Sequence, residues 1–145
     1  MRERMGPTDI MAVLAHRYPI LLVDRIDVLE AGRRVEGRKQ ITGGEWQMWG
    51  GIHAAMPSML VVEALAQTSA ALLLGLVEST VGVIGYFAGI ERVRMREPAV
   101  PGDTLVLSVE LSSFRRGVAR LKGIATVDGR RVVSASFTTI VRPVT

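Results

Sequence analysis

The residues most able to do chemistry are Glu63 and Gln67, which lie four positions apart in an apolar stretch opened by Pro57. Side chains at i and i+4 share one face of a helix, so the amide can hydrogen-bond the carboxylate. Burial disfavours the charged form of a carboxyl group and raises its pKa toward values useful for acid–base work. The pattern predicts an acid–base group with an orienting amide. A core helix with one satisfied polar pair is the alternative.

The apolar run that contains Glu63 extends from Met59 to Val77 and, at 19 residues, has the length of a membrane span. However, Glu63 and three further polar side chains lie in its first half. A carboxylate in the middle of a span costs about 2.5–3.5 kcal/mol on insertion scales. We therefore predict a helix at the centre of a water-compatible fold, ending between Gly75 and Gly82, and no membrane span.

Length and composition indicate one globular domain of 145 residues, 48% of them hydrophobic. The chain has no cysteine, which excludes disulfides and thiolate–metal sites. The segment Met1–Met5 is charged and has no apolar core of signal-peptide length behind it. We expect a cytoplasmic protein.

The remaining pattern predicts an α+β domain in which a mostly antiparallel sheet wraps around the long helix. Leu105, Leu107 and Val109 alternate with more polar residues, as in a half-buried strand, and Asp128-Gly129 is a strong hairpin signal. The predicted elements are a helix over 8–15, strands over 20–29, 35–42, 83–87, 93–95, 105–111, 118–127 and 131–141, some paired as hairpins, and an irregular stretch over 43–56.

Basic residues outnumber acidic ones by 18 to 14, and Arg92, Arg94 and Arg96 alternate in a segment that reads as extended. Alternate residues of a strand share one face, so these arginines could meet nucleic acid, an acidic protein or the phosphates of a ligand. A charged strand edge that resists aggregation is the alternative. Aromatic residues make up only 5% of the chain, so we do not predict nucleic-acid binding.

Four blocks of sequence, in this order, carry a resemblance to one family. The chain resembles the FabZ-type (3R)-hydroxyacyl-acyl-carrier-protein dehydratases, which have the hotdog fold, over roughly residues 8 to 141. The blocks are His16–Ile26, Glu63–Gln67, Gly85–Ile90 and Pro98–Asp103.

The resemblance implies a dimer whose two sheets join edge to edge, often three dimers to a hexamer, with an acyl tunnel at each dimer interface. A histidine of one subunit and the helix glutamate of the other dehydrate a 3-hydroxyacyl thioester to the trans-2-enoyl thioester. Glu63 falls on that glutamate, and Gln67 on the residue that orients it. We expect neither a cofactor nor a metal ion.

The chain departs from the family pattern at the histidine, since an ungapped count back from Glu63 places Trp49 there. His53 is the nearest histidine, and the loop Gly50-Gly51 could let it swing into the vacant place. We therefore predict Glu63 and His53 as the catalytic pair. The predicted substrate-binding residues are Gln67, Trp49, Gly50, Gly51 and Pro57, and His16, within the first block, is expected to be structural.

Three functions remain open: a dehydratase of fatty-acid or polyketide-like synthesis, a hotdog thioesterase in which Glu63 activates water, and a non-catalytic acyl-thioester-binding homologue. By the resemblance, Arg92, Arg94 and Arg96 form a docking patch for an acyl-carrier protein or the phosphates of a coenzyme A thioester.

Overall fold

The computed structural model describes residues 3–45, 54–74, 76 and 83–143. Within them the chain forms two helices and seven strands. The helices are α1 (Pro7–Val13) and α2 (Ser58–Leu74), and the strands are β1 (Arg4–Met5), β2 (Arg25–Glu30), β3 (Arg34–Gln40), β4 (Val83–Met95), β5 (Thr104–Arg115), β6 (Val118–Val127) and β7 (Arg130–Pro143).

The seven strands make one antiparallel sheet in the order β1-β2-β3-β5-β6-β7-β4, with β1 and β4 at its edges. The predicted hairpin between β6 and β7 is confirmed: Asp128 and Gly129 both have positive φ, 48° and 78°. Arg116 and Gly117 make the same turn between β5 and β6, with φ of 50° and 77°. Positive φ at both central residues is the signature of the type I′ turn, whose twist matches that of paired strands.

Helix α2 packs against one face of this sheet and forms the centre of the core, as predicted. Leu65 and Leu72 of α2 are fully buried, as are Leu105 and Leu107 of β5 and Leu121 of β6. The helix and the sheet approach each other so closely at Gly37 of β3 that a Cβ atom there would lie 2.4 Å from Thr68 Oγ1. Helix α2 has 17 residues, and among the described residues no helix combines the length and apolarity needed to cross a membrane.

The structure differs from the predicted elements in three places. The segments 83–87 and 93–95 belong to one strand, β4, because its ladder with β7 continues through two bulges, at Phe87/Gly89 and at Glu91/Arg94. The strand predicted over 20–29 begins only at Arg25, since Ile20 C=O and Leu22 N–H bond to the side chain of Gln67 on α2. The short strand β1 was not predicted, because two residues carry no readable periodicity.

Candidate active site

A mainly apolar pocket of about 200 Å³ lies between the end of α1, the polar face of α2 and strands β4 and β7. Glu63, His16 and Gln67 are the titratable or amide side chains in its wall. The remaining lining residues are Val13, Leu14, Ala66, Ser69, Ala70, Leu73, Leu74, Gly85, Phe87, Thr139 and Val141. An apolar cleft with a few convergent polar groups is the usual form of a small-molecule site. Within the described ranges, no three His, Cys, Asp or Glu side chains are grouped as metal ligands.

Gln67 holds Glu63 in place, as the four-residue spacing predicts. Its Nε2 donates to Glu63 Oε1 at 2.8 Å and to the carbonyl oxygen of Ile20 at 2.8 Å, while its Oε1 accepts from Leu22 N–H at 2.9 Å. The side chain is 2% exposed, and every polar atom of its amide bonds to protein. Gln67 therefore orients the carboxylate, and it also lines the pocket.

Glu63 itself is less buried than the apolar sequence around it suggests. Its side chain remains 36% exposed, because the carboxylate lies at the pocket and not against the sheet. Apolar neighbours on a helix predict burial of the helix as a whole, whereas the direction of one side chain depends on what packs opposite it. The carboxylate is thus available to a molecule in the pocket.

His16 is the residue that the sequence analysis did not place in the site. Its Nε2 lies 3.4 Å from Glu63 Oε1, and 38% of the side chain is exposed. The adjacent Arg17 guanidinium clamps this loop by donating to the carbonyl oxygens of Leu14, His16 and Met11 at 2.7, 2.7 and 2.9 Å. Because 47 positions separate His16 from Glu63, no local spacing in the sequence signals that they meet.

Pro57 stands immediately before α2, where it was predicted to open the helix. Its carbonyl oxygen accepts from the N–H groups of Leu60 and Val61 at 2.8 and 3.2 Å, which starts the helical ladder. Pro57 is absent from the pocket lining given above. Trp49, Gly50, Gly51 and His53, the other predicted substrate-binding and catalytic residues, lie outside the described residues.

Lys39 of β3 forms a buried ion pair with Glu45. The ammonium group, on a residue only 7% exposed, donates to Glu45 Oε1 and to the carbonyl oxygen of Gln40. A buried charge is tolerated when it is paired and hydrogen-bonded, as here. The contact fixes the end of β3 to Glu45, the last described residue before residue 54.

Arg92, Arg94 and Arg96 are all exposed, at the end of the edge strand β4. Their alternation is not that of a regular strand, because Arg92 has a φ of 54° and the register with β7 shifts between Glu91 and Arg94. The bulge thus interrupts the regular alternation from which one shared face was expected. Arg96 instead joins Arg130 and Arg131 around a second, open surface depression, where Arg130 also contacts Glu97.

An antiparallel sheet around one long helix, with a helix carboxylate at an apolar pocket, is the architecture of hotdog-fold proteins. The fold matches a chain of the dehydratase heterocomplex ApeI:P from Xenorhabdus doucetiae with a TM-score of 0.73, covering 90% of this chain and 89% of that one at 16% identity. It also matches a hypothetical thioesterase with coenzyme A from Streptococcus pneumoniae, with a TM-score of 0.64 over 81% and 89% of the two chains, again at 16% identity.

Within that fold class the chain belongs to the FabA-like family, whose domain model matches residues 14–136. Its relatives include proteins named 3-hydroxyacyl-acyl-carrier-protein dehydratase FabZ. The one from Roseiflexus castenholzii is 50% identical over 86% of this chain and 87% of its own length. Those from Syntrophotalea carbinolica and Bacillus subtilis are each 42% identical, the first over 93% of both chains and the second over 89% of this chain and 92% of its own. The family predicted from the four sequence blocks is confirmed.

Proposed function

We propose that this protein dehydrates 3-hydroxyacyl thioesters, bound to carrier protein or coenzyme A, to trans-2-enoyl thioesters in fatty-acid or related synthesis. The observation that carries the proposal is Glu63, held by Gln67 at an apolar pocket in a chain that matches FabZ dehydratases over most of its length. The apolar walls suit an acyl chain, and the carboxyl group suits transfer of a proton at its head. We place the protein in the cytoplasm, where such synthesis would take place.

The reaction needs a base for the proton at C2 and an acid for the hydroxyl group that leaves C3. Positioned proton transfer of this kind contributes about 10²–10⁴-fold to a rate. Glu63 is the residue we assign to the hydroxyl group, because its carboxylate is fixed and faces the pocket. The predicted second group, His53, lies outside the described residues and stays a prediction.

The test is an assay of the purified protein with 3-hydroxyacyl-carrier protein that follows enoyl thioester and free thiol together, beside Glu63→Gln. Enoyl product that disappears in the variant supports the dehydratase. Free thiol without enoyl product would instead favour a thioesterase.

A non-catalytic acyl-thioester-binding homologue is the second candidate, and it is favoured by Trp49 at the position of the family histidine. It predicts acyl-carrier binding without either product. Trp49→His would then create activity from none, whereas a parent protein that already makes enoyl thioester contradicts this candidate.

For the partner, we propose that Arg92, Arg94 and Arg96 dock an acidic carrier protein. All three are exposed, and complementary charge accelerates association, by about tenfold or more where it steers encounter. Reversal of these charges should raise KM for carrier-bound substrate and leave a small thioester analogue little affected. Arg120→Glu with Lys122→Glu, exposed on β6, is the control, and equal effects on both substrates would contradict docking.

For the assembly, we propose a homodimer joined through β4. This strand is an edge of the sheet over 13 residues, and it exposes Tyr86, Phe87, Ile90 and Met95 by 55, 43, 38 and 51%. A long apolar edge with unpaired backbone groups is a template for pairing with another chain, and a second copy satisfies it. The trimer of dimers implied by the resemblance stays a prediction.

A further inference from the structure

We propose that His16 is the catalytic base of the dehydration and takes the role of the family histidine, whose position in the sequence Trp49 occupies here. This assignment rests on the proposed function, and it deepens it by naming the second proton-transfer group. The geometric basis is the position of His16 Nε2, 3.4 Å from Glu63 Oε1 at the wall of the same pocket. His16 and His53 are the two histidines of the chain, so the choice between them can be tested directly.

One amide sets the distance between the two groups. Gln67 Nε2 donates both to Glu63 and to the carbonyl oxygen of Ile20, and Gln67 Oε1 accepts from Leu22 N–H. The same loop is closed on its other side by Arg17, whose carbonyl oxygen accepts from Ile20 N–H and Leu21 N–H at 2.9 and 3.0 Å. The helix that carries the acid and the loop that carries His16 are therefore tied to a single buried side chain. Such preorganisation is what a pair of proton-transfer groups requires.

Only one ring nitrogen of His16 is available for chemistry. Nδ1 is enclosed and has no hydrogen-bond partner within the described part of the chain, while Nε2 lies at Glu63. Both side chains keep more than a third of their surface exposed, 38% for His16 and 36% for Glu63. A substrate in the pocket can thus reach Nε2 and the carboxyl oxygen together.

In the elimination, His16 takes one proton from the substrate and the carboxyl group of Glu63 supplies one. His16 Nε2 takes the C2 proton, and the electrons of the C2–H bond form the C2=C3 double bond as the C3–O bond breaks. The carboxyl group of Glu63 gives its proton to the leaving oxygen, which departs as water. The imidazolium then returns its proton to Glu63, whose Oε1 lies 3.4 Å from Nε2, and the pair is reset with no net proton taken from solvent.

The experiment compares His16→Gln with the matched variant His53→Gln in the enoyl-forming assay of the full-length protein. We expect His16→Gln to lower kcat by about 10²–10⁴-fold and to remove the acid limb of the pH–rate profile. His53→Gln tests the other candidate base, and we expect its effect on kcat to be the smaller of the two. Activity of His16→Ala that returns on addition of imidazole would support a proton-transfer role and exclude a merely structural one, since free imidazole cannot repair a misfolded loop.

Two results would overturn the assignment of His16 alone. One is an active parent protein whose rate His16→Gln leaves unchanged, and the other is a loss in His53→Gln as large as that in His16→Gln. A parent protein that forms no enoyl thioester overturns the proposed function and this assignment with it, so the two failures are told apart by the parent assay.

Discussion

At the scale of single residues, Gln67 both orients the Glu63 carboxylate and bonds to the backbone of the loop opposite. It bonds to the Glu63 carboxylate and also satisfies two backbone groups, Ile20 C=O and Leu22 N–H, and the residue is only 2% exposed. Buried polar groups that lose their partner cost about 1–3 kcal/mol, whereas an isosteric change that retains the hydrogen bond costs little. The two members of this pair should consequently respond differently to substitution.

We predict that Gln67→Leu lowers both the free energy of unfolding, by about 1–3 kcal/mol, and kcat, because it leaves backbone groups unpaired and Glu63 unoriented. Glu63→Gln should abolish most activity but keep the stability of the parent, since an amide can still bond to Gln67. Denaturant unfolding and steady-state kinetics on the two variants check this. A Gln67→Leu protein with parent stability would contradict the role assigned to this amide.

Asp27 gives the clearest pH dependence. Desolvation by itself would raise the pKa of its carboxyl group, but the hydrogen bond from Arg4 and the charges of Arg25 and Arg4 outweigh it, so the pKa lies below the ordinary value of 3.8. Arg4 Nε donates at 2.7 Å and Arg25 Nε at 3.1 Å. A carboxyl group whose pKa is lower in the folded than in the unfolded state stabilises the fold fully at pH values above its unfolded pKa. That contribution is lost as pH falls through the folded value.

The predicted consequence is that Asp27→Asn costs about 0.2–1 kcal/mol at neutral pH and that this difference shrinks toward zero as pH falls below 3.8. Urea unfolding of parent and variant at a series of pH values measures it. Glu30→Gln, in the more exposed pair with Arg33, is the control and should change stability little. A stability difference that grows toward acid pH would contradict a lowered pKa of Asp27 in the folded state.

At the scale of elements, the site depends on how closely α2 approaches the sheet. Gly37 makes this possible, because the Thr68 side chain occupies the space of a Cβ atom at that position. Thr68 is fully buried and its hydroxyl group donates to the carbonyl oxygen of Ala64 at 2.8 Å, so it cannot simply turn away. Since Thr68 follows Gln67 in the chain, a displaced helix also displaces the acid–base residues.

Gly37→Ala should therefore destabilise the protein by about 1–3 kcal/mol, as overpacking does, and lower kcat as well. Adding Thr68→Ala should recover part of the loss, which a double-mutant cycle of unfolding free energies measures. Gly43→Ala, where a Cβ atom meets nothing within 4 Å, is the matched control and should be near neutral. Independent, additive effects of the two substitutions would contradict the proposed contact.

At the scale of the whole molecule, β4 is a long edge of the sheet with no neighbouring strand on one side among the described residues. Strand β7 pairs with one side of β4, and the opposite side of β4 is the end of the sheet. Phe87 stacks on Phe137 with 5.5 Å between ring centroids and also lines the pocket, so the pocket wall and the sheet edge share a strand. A partner on that edge would lie beside the pocket.

For the assembly we predict that the parent protein has at least twice the mass of one chain in solution and that Ile90→Lys shifts it toward the monomer, because a charge on an edge strand opposes pairing. Light scattering after size exclusion checks the mass. Ile124→Lys is the matched control, since Ile124 is equally exposed, 38%, but lies on the interior strand β6. A monomeric parent, or a dimer indifferent to Ile90→Lys, would contradict the β4 interface.

The sequence by itself determined the long helix, the β6–β7 hairpin and the pairing of Glu63 with Gln67, because each depends on residues close together in the chain. The four blocks likewise identified the family. Local patterns predict such features since helical and strand periodicities are properties of the backbone.

Only the tertiary structure decided which distant groups meet. It brought His16 to Glu63, merged two predicted segments into β4, replaced a predicted strand over 20–24 with bonds to Gln67, and left the Glu63 carboxylate at a pocket. These outcomes depend on which side chains pack opposite one another across many intervening residues, and no periodicity of a single segment encodes that. Glu63 and its amide partner could therefore be predicted from the sequence, while the histidine beside them could not.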